Sequence, residues 1–260
     1  MIQALATIHI SVFSLFHPTE FTVRPAQSSA IVLETAHGKQ VLEGAQTGNI
    51  KGPARVTARD GGPAHFILSV PGRITREYYA KLEVRPEGNH LLALVEMDRE
   101  TAVASIVDGE SPGSLPEARD AQAVAVRSYL VAMHGRHIGY DFCDTTHCQY
   151  LRGVSTKGAL GQTAAIHTSG LAISYQGHVV PALYSADCGG HTKSLEEAGW
   201  PTSEYPYFGV SCPIKGEMRG HGIGLCQRGA IELARLGKSF REIIGYYFPA
   251  TVLISLDARN

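Results

Sequence analysis

The run from Glu110 to Cys148, ESPGSLPEARDAQAVAVRSYLVAMHGRHIGYDFCDTTHC, constrains this chain more than any other. From Ala121 to Met133 it is apolar almost all round, the pattern of a helix enclosed by other elements. Ser114 and Glu117 fit a capping box for that helix, which makes Glu117 a capping residue. Pro116 falls in the first turn, where a missing N–H costs little, and Gly135 supplies the stop. Gln122, Arg127 and Ser128 interrupt the apolar surface, and buried polar groups need partners. They form either a satisfied core network or a brace behind a site.

Residues before this helix read as strands. Ile8, Ile10 and Val12 alternate with His9 and Ser11, which fits a strand better than the start of a signal peptide, since no basic region precedes the apolar one. Either an export signal has been removed or there is none. Short apolar runs at 19–23, 30–33, 55–58, 65–70, 78–84 and 90–96 are punctuated by Gly and Pro. Ala102, Val103, Ile106 and Val107 suit one face of a short helix over 96–107, leading to Glu110 in a loop. Beyond Cys148 the pattern predicts a short helix or turn over 161–168. A strand pair over 171–175 and 179–184 follows, around Gln176-Gly177. An irregular cover spans Trp200 to Cys212. A helix over 225–236 is stopped by Gly237, a second capping box lies at Ser239–Glu242, and a strand spans 251–256. The expected class is α+β, with a β-rich N-terminal lobe over 1–96 and a mixed lobe over 97–260 around the buried helix.

A chain of 260 residues can build a sizeable core, as one large domain or two small ones. With 18% charged residues and a formal net charge of −1, nothing supports a general nucleic-acid binder. No apolar run is long enough for a membrane helix.

His137, Cys143, His147 and Cys148 form a normal tetrahedral zinc set, with Gly139 and Asp144 letting the chain turn back and His134 a rival for the fourth place. Four protein ligands would make the metal structural, whereas three would leave room for catalysis. A Cys143–Cys148 disulfide and free thiols are the alternatives. Five cysteines are an odd number, so at least one stands outside any internal disulfide. A pairing among Cys188, Cys212 and Cys226 suits an exported protein, and metal or free thiols suit a reducing compartment. A Cys188 nucleophile with His191 or His221 as base is conceivable, but a groove-lining role is favoured. Gly220-His221-Gly222-Ile223-Gly224 lacks the Lys-Ser/Thr of a phosphate loop. Its small residues permit either close ligand approach or a tight turn under a helix.

These segments resemble the SpoIID/LytB family of stage II sporulation protein D and amidase-enhancer domains. The resemblance rests on Glu110-Ser111-Pro112, Glu117-Ala118, Ala121-Gln122-Ala123, Arg127-Ser128-Tyr129 and the run from Asp141 to Gln149. It continues through Ser185-Ala186-Asp187-Cys188-Gly189-Gly190-His191-Thr192 and Gly220-His221-Gly222-Ile223-Gly224-Leu225-Cys226-Gln227. Two departures stand out: Ser111 replaces the usual Met, and Cys226 stands where Ser is common. The resemblance implies a peptidoglycan lytic transglycosylase that cuts the MurNAc–GlcNAc β-1,4 bond of denuded glycan strands and leaves 1,6-anhydro ends. Glu110 would be its acid, with a pKa raised by partial desolvation. It further implies substrate contacts from Ser185, Cys188, Gly189, Gly190, Gly220, His221, Gly222 and Gln227, support from Gln122 and Arg127, and an exported, cell-wall location. The alternatives it leaves are a non-catalytic module that enhances a cell-wall amidase and a zinc hydrolase.

Overall fold

The computed structural model describes residues 7–27, 29–111, 113–154 and 160–256. Their class is α+β, and they fall into two compact units. One is built from residues 7–109 and 134–154, the other from 110–133 and 160–256. This division differs from the expected boundary at 96/97. The short helix predicted over 96–107 runs instead as α1, Arg99–Glu110, and residues after the central helix rejoin the first unit. Pro112, part of the Glu-x-Pro match, lies outside the described residues.

The first unit carries strands β1 (Thr7–Val12), β2 (Phe21–Pro25), β3 (Ala30–Thr35), β4 (Gly38–Glu43) and β5 (Gly48–Ile50). It continues with β6 (Ala54–Thr57), β7 (Ala64–Val70), β8 (Ile74–Glu87), β9 (His90–Asp98) and β10 (Phe142–Cys143). The sheet order is β10-β1-β9-β8-β6-β3-β4, with β7 joining β8 to β2 and β2 joining β5. The 14-residue β8 serves three neighbours: Ile74–Ala80 pair with β7, Lys81–Glu87 with β9, and Leu82–Val84 also with β6. β7 alternates buried and half-buried residues from Ala64 to Val70, the mark of a strand with one face on the core. β9 is buried on both faces from Leu91 to Val95, as a central strand must be. The strand expected from Ile8, Ile10 and Val12 forms as β1 with all three buried, but the alternation stops at Ser11, which is buried as well.

The second unit is wrapped around α2, Pro116–Ala132, whose residues from Asp120 to Leu130 are all buried. Each fully enclosed Val or Leu there contributes about 1.5–3 kcal/mol. The remaining elements are α3 (Leu160–His167), β11 (Leu171–Tyr175), β12 (His178–Val179), β13 (Tyr184–Ser185), β14 (Leu225–Cys226), α4 (Gln227–Arg235), α5 (Phe240–Tyr247) and β15 (Val252–Ser255). β11 pairs antiparallel with β12 and β15, and β13 pairs parallel with β14. α2 packs against α3, α4, α5 and β11.

Two polar residues lock α2 in place. Arg127, with no exposed surface, donates to Thr168 Oγ1 and to the carbonyls of Leu171 and Ala165. Ser128 donates to Val124 O at 2.7 Å and accepts from Ile173 N–H at 2.8 Å, tying the helix to β11. The capping box expected at Ser114 and Glu117 does not form. Leu115 is the N-cap and makes no side-chain cap bond. Ser114 Oγ donates to Ser111 O, and Glu117 Oε2 accepts from Phe240 N–H at 2.6 Å, so it serves the start of α5. The second box, Ser239 with Glu242, forms as predicted. The expected strand over 179–184 stops at Val179, because Pro181 has no N–H for a ladder.

Candidate functional site

Glu110 is the last residue of α1, not a loop residue as expected, and it is half-buried. It stands at a cleft of about 380 Å³ in the second unit, lined also by Ser111, Gln122, Asp187, Arg219, Gln227 and Arg228. The parallel pairing of Tyr184 with Leu225 and Ser185 with Cys226 brings the 185–190 and 220–227 segments together beside it. Asp187 and Arg219 exchange two backbone hydrogen bonds, at 3.1 and 2.8 Å, stitching the same loops further out.

Gln227, the first residue of α4, latches the acid's backbone. Its Nε2 donates to Glu110 O at 3.1 Å and to Ser111 Oγ at 3.3 Å, and lies 3.5 Å from Gln122 Oε1. Ser111 thus accepts a bond that a Met at this position would not. The Gln122 side chain is 1% exposed, and its Nε2 makes no hydrogen bond among the described residues.

Tyr184 was not singled out by sequence. Burial and the adjacent Glu110 carboxylate, which accepts a hydrogen bond from its hydroxyl, raise its pKa well above the ordinary 10.0. The phenol therefore stays protonated across the neutral range and remains a donor to Glu110. A lone Tyr in a short strand carries no motif, and only the β13–β14 pairing shows its position.

Asp187 is a second carboxylate in the cleft. Burial pushes its pKa up, but Gly189 N–H at 3.0 Å and the Arg228 guanidinium outweigh that and hold it below the ordinary 3.8. It is committed as an anion to this ion pair.

His221 is held by the chain itself. Its Nδ1 accepts from Ile223 N–H at 3.0 Å, and the ring hydrogen-bonds the Tyr184 backbone carbonyl. Burial lowers its pKa from 6.5 and keeps the ring neutral, while the Tyr184 carbonyl opposes the shift. It acts as a strut under Tyr184.

Of the expected site residues, Glu110, Gln122 and Gln227 line the cleft. Ser185, Cys188, Gly189, Gly190, Gly220, His221 and Gly222 are not among its lining residues and build the loops behind it. A Cβ on Gly220 would stand 3.0 Å from Ser185 Cβ, and one on Gly224 would collide with Leu183 O, so these glycines serve loop packing. Cys188 is 4% exposed, and burial raises its thiol pKa, which disfavours a nucleophile.

The His/Cys run belongs to the first unit. β10 pairs parallel with β1, Ile10 facing Phe142 and Ser11 facing Cys143. Asp144 accepts from Phe13 N–H at 3.1 Å and pairs with Arg76 at 2.6 Å, fixing the turn that follows. Gly139 adopts φ 84 in the bend that stacks His137 on Tyr140. The donor atoms of His137, Cys143, His147 and Cys148 all lie within 4.8 Å of one another, and this group could hold a metal ion. His137 Nε2 is 3.3 Å from Cys148 Sγ, and His147 Nδ1 is 3.7 Å from Cys143 Sγ and 3.6 Å from Cys148 Sγ. All five cysteines are free thiols, with no Cys143–Cys148 bridge. A hydrogen bond from Cys148 is the main force lowering the Cys143 thiol to about 3, and the same bond pushes Cys148 up. His134 is exposed and is not one of the converging donors.

A family model described as "SpoIID: Stage II sporulation protein" matches residues 87–175, from β9 and Glu110 through the His/Cys run to the end of β11. An uncharacterized protein of Brachyspira hyodysenteriae is 32% identical over 144 residues, which cover 54% of this chain and 37% of that protein. The matched region thus spans little more than a third of that relative's length. Among the described residues, no helix is long and apolar enough to cross a membrane.

Proposed function

We propose, from the match of residues 87–175 to the SpoIID family model, that this chain is a peptidoglycan lytic transglycosylase. The family bears on the bacterial cell wall and sporulation, and this reading narrows that to cleavage of the MurNAc–GlcNAc β-1,4 bond in strands stripped of stem peptides. The observation that carries it is the placement of Glu110, a half-buried carboxylate at a cleft, with Tyr184 on its side chain and Gln227 on its backbone.

In this scheme Glu110 protonates the leaving glycosidic oxygen. As a carboxylate it then takes the proton of the C6 hydroxyl, which closes onto C1 to give the 1,6-anhydro ring. One carboxylate suffices because the nucleophile belongs to the substrate, unlike the two-carboxylate scheme of most glycosidases. Asp187 supports this, since its pairing with Arg228 withdraws it from service as a base. The donor set of His137, Cys143, His147 and Cys148 fits zinc, and four protein ligands would make it a structural ion that fixes the loop. Glycan strands are the proposed partner, and an extracytoplasmic, wall-facing location follows from that substrate.

The deciding experiment is mass spectrometry of denuded glycan incubated with the protein. Products should carry 1,6-anhydro ends, and Glu110→Gln should slow turnover by roughly a hundredfold or more while leaving fold and glycan binding intact. Equal cleavage by the variant would refute the assignment. Binding without cleavage by either protein would favour the amidase-enhancer role instead. Cys148→Ser should lower zinc content and thermal stability together, and full stability without metal would remove the ion from the scheme.

A further inference from the structure

Three cysteines of the second unit take no part in the scheme above. Cys188 follows β13, Cys212 lies in the irregular cover and Cys226 ends β14, yet their Sγ atoms all lie within 4.8 Å of one another. We propose that Cys188, Cys212 and Cys226 form a second metal site, a three-thiolate site for zinc whose fourth position is filled from solvent.

The convergence is threefold. A disulfide would use two of these sulfurs and leave the presence of the third unexplained. Thiolates on one tetrahedral zinc, at Zn–S of about 2.3 Å, sit roughly 3.8 Å apart, so a small contraction of the cluster closes the site. Backbone N–H groups also favour negative charge on the sulfurs. Cys226 Sγ accepts from Cys188 N–H and Gly229 N–H, both at 3.4 Å. The backbone N–H groups of Gly190 and Ile214, each two residues further along the chain, favour the thiolate forms of Cys188 and Cys212. Such bonds orient a sulfur ligand and offset its negative charge. Cys226 is in addition the N-cap of α4, where the helix dipole favours an anion.

Gly229, in the first turn of α4, keeps the space: a Cβ there would collide with Cys212 Sγ and Tyr247 Oη. Cys188 and Cys226 are buried and Cys212 is half-buried, so the open side is that of Cys212, where Tyr247 Oη lies 3.2 Å from its sulfur. Binding would release the thiol protons to solvent and leave all redox states unchanged. The ion would staple the loop that carries Asp187 to the start of α4, which carries Gln227. This inference is independent of the role given to Glu110.

The test compares the reduced full chain with Cys212→Ser and, separately, Cys148→Ser, after chelation and reloading with zinc. Cys212→Ser should bind about one zinc fewer than the parent, and Cys148→Ser should lose its ion independently, because the two donor sets share no residue. Cys148→Ser loaded with cobalt should keep a thiolate-to-cobalt charge-transfer band, and zinc added to the unsubstituted protein should slow alkylation of Cys212 severalfold. The alkylation readout needs no substitution and so stands even if a variant fails to fold. Equal zinc in Cys212→Ser and parent, or Cys212 alkylated at one rate with and without zinc, would overturn the site. So would a disulfide among the three that persists in zinc-loaded protein.

Discussion

Arg127 and Gln122 lie five residues apart on one buried helix, and both are almost completely enclosed. The Arg127 guanidinium is met by a hydroxyl and two carbonyls of α3 and the start of β11. Gln122 has one long contact to Gln227 and an amide nitrogen that bonds to nothing among the described residues. Such a donor costs about 1–3 kcal/mol unless something comes to meet it. The Arg127 end of α2 serves the fold. The Gln122 end borders the cleft and keeps a spare donor there.

Four measurements sharpen or break this contrast. Arg127→Ala should have the largest effect on stability, about 1–3 kcal/mol in denaturant unfolding, because it strands buried acceptors. A change within error would show that Arg127 does not hold the fold. Tyr184→Phe removes the bond to Glu110 and should cost about tenfold in turnover, equivalent to ~1.4 kcal/mol, with little change in melting temperature; loss of stability without loss of turnover would place Tyr184 with Arg127 rather than with the cleft. Gln122→Leu, of similar volume, should leave stability within about 0.5 kcal/mol, since an unpaired amide is exchanged for an apolar group, while glycan binding weakens; a destabilisation equal to that of Arg127→Ala would erase the distinction.

The smallest effect concerns His221. Its pKa is lowered in the folded chain, so between the folded value and 6.5 the unfolded chain binds the extra proton. Its contribution is therefore complete above pH 6.5 and is lost as pH falls from there through the folded value. Stability should decline on acidification below pH 6.5, and His221→Gln should make that decline shallower. An unchanged pH profile would mean that the strut under Tyr184 carries no titration.

What the sequence disclosed depended on whether a residue's partners are near it in the chain. β1 was legible from Ile8, Ile10 and Val12, and the Ser239–Glu242 box from its own four residues. The His137–Cys148 set is compact in sequence and came together as its spacing suggested. Glu117 departs from its local capping pattern because Phe240 N–H, more than a hundred residues away, outcompetes the local cap. The apolar spacing points to a loop at Glu110 because its helix runs three residues beyond Val107, the last apolar residue that marks it. Tyr184 and the convergence of Cys188, Cys212 and Cys226 depend on β13 pairing with β14, across a stretch of irregular chain that no periodicity describes.

The enclosure of α2 has a consequence for the chain as it is made. Its packing partners α3, β11, α4 and α5 all follow it in sequence. A ribosome adding about 5–20 residues per second takes on the order of ten seconds to pass from the end of α2 to the end of α5. During that interval a helix with no water-facing side has nothing of its own to fold against, so the nascent polypeptide carries an unpartnered apolar surface midway through synthesis until the last third emerges.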